Sequence, residues 1–195
     1  MPPSTHPLAL RDTAALALLA VVWGGCDGES SAPSPEDAAV ADTADADEPL
    51  RPTSQTFECI RNWTKVRRFY ITRTNGPTAP AVDVARSEDG GRYPPGTLIQ
   101  LVPREAMFKH RPGWSPETNN WEFFVLEPTE DTTRIVDRGT TDVENRFGGN
   151  CADCHSQAAP KWDFVCERDH GCPDIPIGGD TIRVLQQQDP RCDDG

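Results

Sequence analysis

Between residues 96 and 138 the chain alternates short runs of β-formers with tight polar turns. Gly96-Thr97-Leu98-Ile99-Gln100-Leu101-Val102 follows a Pro-Pro-Gly turn and predicts a strand. Glu105 to His110 predicts a second one, with Met107 and Lys109 facing one way and Phe108 and His110 the other. Trp121 to Leu126 (WEFFVL) is apolar at both parities, the pattern of a strand buried on both faces. Arg134 to Arg138 alternates and pairs back across the polar loop Glu127–Thr133. Thr181 to Gln188 predicts a helix capped by Asp180 or Thr181. The segment Glu58 to Phe69 fits either period. The expected class is α+β and β-rich, an antiparallel sheet with a few short helices.

The N-terminal third has other patterns. Ala14 to Trp23 is a ten-residue apolar run closed by Gly24, Gly25 and Cys26. It would span about 15 Å as a helix, half a bilayer core, which is the length of an export signal's apolar region. Residues 1–26 are therefore expected to be an export signal. Trp23-Gly24-Gly25-Cys26 resembles a bacterial lipobox, which implies lipidation at Cys26 and a periplasmic-side protein held to its membrane by the lipid alone. Residues 27–55 are expected to be a disordered acidic spacer. Asp27 to Leu50 holds eight acidic residues and no basic one, too little apolar surface to offset its ordering entropy. The net charge of −12 excludes the basic footprint of a nucleic-acid binder. Residues 56–195 are left as the single folded domain.

Seven cysteines are many for a reduced compartment. Cys151-Ala152-Asp153-Cys154-His155 (CADCH) has the spacing of c-type haem attachment. Two thiols add across the porphyrin's two vinyl groups, and the adjoining imidazole is placed to ligate the iron. Cys151, Cys154 and His155 are thus expected to hold one covalent haem c, with His155 on the metal. Zinc is the alternative, with Cys166, His170 and Cys172 completing a ligand set, in a stapled structural lipoprotein without haem. A thiol–disulfide redox motif is the third reading. Cys59, Cys166, Cys172 and Cys192 remain, enough for two disulfides in one of three pairings.

Pro94-Pro95-Gly96-Thr97, the Met107-Phe108-Lys109 segment, Trp121 to Phe124, CADCH and Lys161-Trp162-Asp163-Phe164-Val165 follow one another in order. From about Arg92 to Val165, a little over a third of the chain, this order resembles the cytochrome P-460 family and its relatives, the β-type cytochromes c-prime. The resemblance implies an antiparallel β fold around one c-type haem whose iron is open to small ligands. It implies either oxidation of a small nitrogen compound such as hydroxylamine, with a lysine cross-linked to the haem and a carboxylate assisting, or electron transfer and binding of nitric oxide without turnover. The partners are accordingly a small-molecule ligand or a redox protein. Lys109 is the candidate for the lysine, and Glu105 and Glu122 for the carboxylate. Met107, His110 and His170 are the candidate sixth ligands, with an open iron favoured. The basic stretch Lys65-Val66-Arg67-Arg68 is a candidate contact for the haem propionates or a solvated face.

Overall fold

The computed structural model describes residues 50–192. The export signal, Cys26 and most of the spacer lie outside the described residues. Six strands, β1 (Thr64–Val66), β2 (Phe69–Arg73), β3 (Thr97–Val102), β4 (Glu105–Lys109), β5 (Trp121–Pro128) and β6 (Thr133–Gly139), form one antiparallel sheet in chain order. Neighbours are joined by short turns except between β2 and β3, where the helix α1 (Ala79–Arg86) intervenes with a proline in its first turn, and between β4 and β5, where residues 110–120 include a 3-10 turn (Pro116–Thr118). The sheet and its few helices agree with the β-rich α+β expectation.

The ladder's register sorts the side chains. Ile71, Ile99, Met107 and Phe123 stand opposite one another across β2 to β5 and define what we term the front face. Leu98, Phe108 and Glu122 form the corresponding row on the back. The front is covered by α1, through Ala81, Val82 and Ala85, and by the later segment bearing Cys151 and Val165. Phe57, Ile60 and Trp63 cover the back. With both faces covered, β5 reads as a continuous apolar run, as its sequence predicted.

The ambiguous Glu58–Phe69 segment resolves into a 3-10 turn (Ile60–Asn62), then β1, then a reversal in which Arg67 takes φ +48°. The C-terminal helix, Gly179–Gln187, begins at Gly178 and has no side-chain cap, so neither Asp180 nor Thr181 plays the expected part. The folded body also starts earlier than residue 56. Leu50 packs on the back cluster, Pro52 O accepts from Arg138 Nη1 at 3.0 Å, and Thr53 and Thr56 cap a 3-10 turn.

Cys59 pairs with Cys192, and Cys166 with Cys172. The first joins the two ends of the body, where Asp189 Oδ2 accepts from Ile60 N at 3.1 Å and Arg191 Nη1 donates to Phe57 O at 3.1 Å. Among the described residues no helix is long and apolar enough to cross a membrane.

Candidate functional site

CADCH forms the short helix Cys151–His155, hereafter α2, following α1. Its start is fixed locally: Asn150 Oδ1 accepts from Asp153 N at 3.1 Å, while Asn150 Nδ2 donates to Thr141 O at 2.8 Å. Cys151 N donates to Val143 O at 2.9 Å, which holds the first turn onto the sheet side. Residues three apart share a helix face, so Cys151 and Cys154 both line one cleft, together with His155. Both cysteines are free thiols. Burial pushes the Cys151 thiol up to about 12, with the negative charge of Glu105 adding to it. Cys154 is raised by burial as well.

The cleft has an enclosed volume of about 140 Å³ and opens to solvent at its mouth. Its floor is the front face of the sheet: Ile99, Leu101, Met107 and Phe123. The rim is built by Asn145 and Phe147 on one side and Pro173 and Ile175 on the other. Arg68, Glu105 and Glu167 are its charged members. Burial raises the Glu105 carboxyl, and the Arg146 N–H, donated to Oε1 at 2.8 Å, opposes that shift.

His155 is held from behind. Its Nδ1 lies 2.6 Å from Phe164 O. A carbonyl can only accept, so Nδ1 bears the proton and the lone pair is on Nε2, which has no partner among the described residues. Burial lowers the pKa of His155, which keeps the ring neutral, as a metal ligand must be. Phe123 packs against the ring at 5.1 Å between centroids.

The carbonyl that orients His155 is itself set by an unusual backbone. Asp163 and Phe164 both adopt left-handed conformations, φ +50° and +67°. For a phenylalanine this is costly, and it persists where the surroundings dictate it. They do so through Asp163, which is fully buried. Its carboxylate accepts from Tyr93 N at 2.8 Å, Asn119 Nδ2 at 3.1 Å and Lys109 Nζ at 2.8 Å to both oxygens. Its carbonyl accepts from Trp121 Nε1 at 2.6 Å. Lys109 also donates to Asn119 O at 2.6 Å and sits 4.9 Å over the Trp121 ring. Gly90 permits the close approach of this segment: a Cβ there would fall 2.2 Å from Lys161 O.

The sequence-predicted residues are therefore divided by the fold. Cys151, Cys154, His155, Glu105, Met107 and Arg68 share the cleft. Lys109 is on the front face but outside the cleft lining, its ammonium engaged by Asp163. Burial lowers its pKa, and the Asp163 carboxylate opposes this. Glu122 and His110 are on the back face, joined at 2.7 Å, with Arg138 bidentate on the same carboxylate at 2.6 and 2.8 Å. Neither reaches the cleft. His170 is stacked on Trp162 at 3.8 Å, its Nδ1 2.7 Å from Val165 O. The bridge between Cys166 and Cys172 removes both cysteines expected to complete the zinc set and leaves only His170 of the three completing residues. Cys59, Asp189 and Cys192 also cluster, but those two sulfurs are bonded to each other. The C-x-x-C is not set in a βαβ unit, since the sheet is antiparallel throughout.

Sequence reasoning had no role for Asp163 or for the Phe164 carbonyl. Aspartate tolerates positive φ, which is a weak signal, and nothing in the identity of Phe164 marks it. No protein-family model, curated protein or solved structure matches the chain.

Proposed function

We propose that the cleft holds one c-type haem, bonded through Cys151 and Cys154 and ligated by His155. On this reading the chain is an exported monohaem cytochrome for electron transfer or small-ligand chemistry at an open iron. The observation that carries the reading is the conjunction at α2: two free thiols and a neutral imidazole line one cleft, and the imidazole's Nδ1–H is tied to a carbonyl. A second hydrogen bond of this kind orients a ligating histidine and raises its basicity. The apolar floor suits a macrocycle, and the donor set suits iron.

Bound there, haem would supply a one-electron ferric–ferrous couple and an open coordination position. The chain's own residues do the rest. Cys151 and Cys154 fix the group irreversibly, as suits a cofactor kept outside the cytoplasm. Phe164 O holds the His155 proton at Nδ1. Ile99, Leu101 and Phe123 keep water from the floor. Met107 and Glu105 share the cleft lining and would face the group held there. With Met107 packed into the front cluster, the open iron stays the favoured state. The engagement of Lys109 by Asp163 favours a positioning role for this lysine over a bond to the macrocycle. That supports the ligand-binding or carrier form of the P-460-like resemblance over hydroxylamine oxidation. Export and lipidation at Cys26 rest on the sequence of residues 14–26.

The test is a pyridine haemochrome spectrum of protein matured with a haem-attachment system. A c-type band is expected, and it should vanish in the Cys151→Ala/Cys154→Ala double variant. A colourless wild-type protein would overturn the proposal in favour of a zinc-bound or disulfide-stapled structural lipoprotein.

A further inference from the structure

We propose that the cavity beside Trp162 is the docking face for a redox partner that presents carboxylates. The proposal rests on the haem reading, and two independent features converge on this place.

The first is charge. Arg68 and Glu167 border both the cleft and a second, outer cavity of about 470 Å³. Arg67, Arg86 and Arg168 line the outer cavity as well. Glu167 is engaged by Arg67, whose Nε donates to it at 2.7 Å. The guanidiniums of Arg68, Arg86 and Arg168 have no hydrogen-bonded or ionic partner among the described residues. Only Glu88 and Asp169 stand against them, and Lys161, 4.2 Å over the Trp162 ring, adds another cation. A local cationic excess on a chain of net charge −12 orients an anionic partner, which the rest of the surface repels.

The second is connectivity. The half-buried Trp162 forms part of the cavity wall, and its ring stacks on His170 with an interplanar angle of 3°. It precedes Phe164 by two residues, and Phe164 O is 2.6 Å from His155 Nδ1. Two peptide links and one hydrogen bond thus join an aromatic ring in the outer cavity to the imidazole. With haem bound, one electron would pass from the reduced partner to the ferric iron and leave it ferrous. No bond of the chain forms or breaks, and the reverse step returns the electron.

The experiment uses the matured protein and two oxidants of opposite charge, hexacyanoferrate(III) and tris(phenanthroline)cobalt(III). Oxidation of the reduced protein by the anionic complex should slow as salt is raised. At low salt the Arg86→Glu/Arg168→Glu variant, altered only at exposed side chains, should slow it about tenfold and accelerate the cationic complex. Trp162→Phe should slow hexacyanoferrate with the haem spectrum unchanged. Equal rates in wild type and the charge-reversal variant would overturn the docking face, and an unaffected Trp162→Phe would overturn the route. A second readout needs no haem: paramagnetic hexacyanochromate(III) should broaden the backbone amide signals of residues 86–88 and 167–169 and not do so in the variant. Broadening without a haemochrome band would sink the haem reading and keep the anion face. A band without localised broadening would sink the docking face alone.

Discussion

Glu122 is buried and Glu105 half-buried, on neighbouring strands of the sheet, and the fold treats them in opposite ways. Glu122, on the back, meets His110 and a bidentate Arg138. Burial pushes its carboxyl up, but those partners outweigh burial and hold it below the usual carboxylate range. Glu105, on the front, is favoured as an anion by the backbone N–H and the positive charge of Arg146, and burial outweighs both. On the back face the buried Glu122 carboxylate is paired with the exposed Arg138 and hydrogen-bonded to His110. The front leaves two thiols and an imidazole nitrogen without partners around a cleft, beside a carboxylate that has no side-chain partner. Pairing marks the structural cluster, and its absence marks the site.

This contrast is open to direct attack. The largest effect is expected at Asp163, the front face's one closed cluster. Asp163→Ala strands the buried Lys109 ammonium and should lower the unfolding free energy by about 3–5 kcal/mol, read by urea denaturation. Adding Lys109→Met should restore part of the loss, because removing both charges leaves nothing unpaired. No restoration would mean that the pair does not bind Asp163 in place. Loss of the Cys59–Cys192 bridge comes next. Cys59→Ser/Cys192→Ser should cost about 4 kcal/mol for so long a loop, and Cys166→Ser/Cys172→Ser nearer 2 kcal/mol. Glu122→Ala follows at about 2–3 kcal/mol, less than Asp163→Ala because Arg138 can turn to solvent. It should leave the haemochrome spectrum untouched, and a changed spectrum would mean that the two faces are coupled.

The smallest effect is in pH dependence, and its sign differs between the faces. Glu105 has a higher pKa folded than unfolded. Between those values the folded chain keeps a proton that the unfolded chain has released, so stability falls as pH rises through the window. Glu122 has the reverse order, so its contribution is present above the unfolded value and is lost as pH falls through the folded one. Glu105→Gln should flatten the first slope and Glu122→Gln the second, measured as denaturation midpoints from about pH 2.5 to 7. Identical profiles for both variants would erase the distinction.

The sheet was legible where pattern and burial agree. Trp121 to Leu126 announced a doubly covered strand, and the Pro-Pro-Gly turn marked the start of β3. β1, β2 and α1 were not legible, because short segments such as Thr64–Val66 hold too few residues to show a period. The cleft's Cys151, Cys154 and His155 were visible through spacing alone. Which strand residues join them depends on register, and register placed Glu105 in the cleft and Glu122 on the other side. The support for His155 was invisible, because a backbone carbonyl has no letter in a sequence.

The Cys59–Cys192 bridge has a topological consequence. It closes the chain between those positions into a covalent ring that takes in the whole sheet and α2. A protease that cuts once anywhere inside the ring therefore releases nothing: the two pieces stay one molecule, and only a reductant separates them. Damage to an exposed turn of this protein is in that sense silent, and a single nick leaves the thiols and imidazole of α2 linked to the strands that face them.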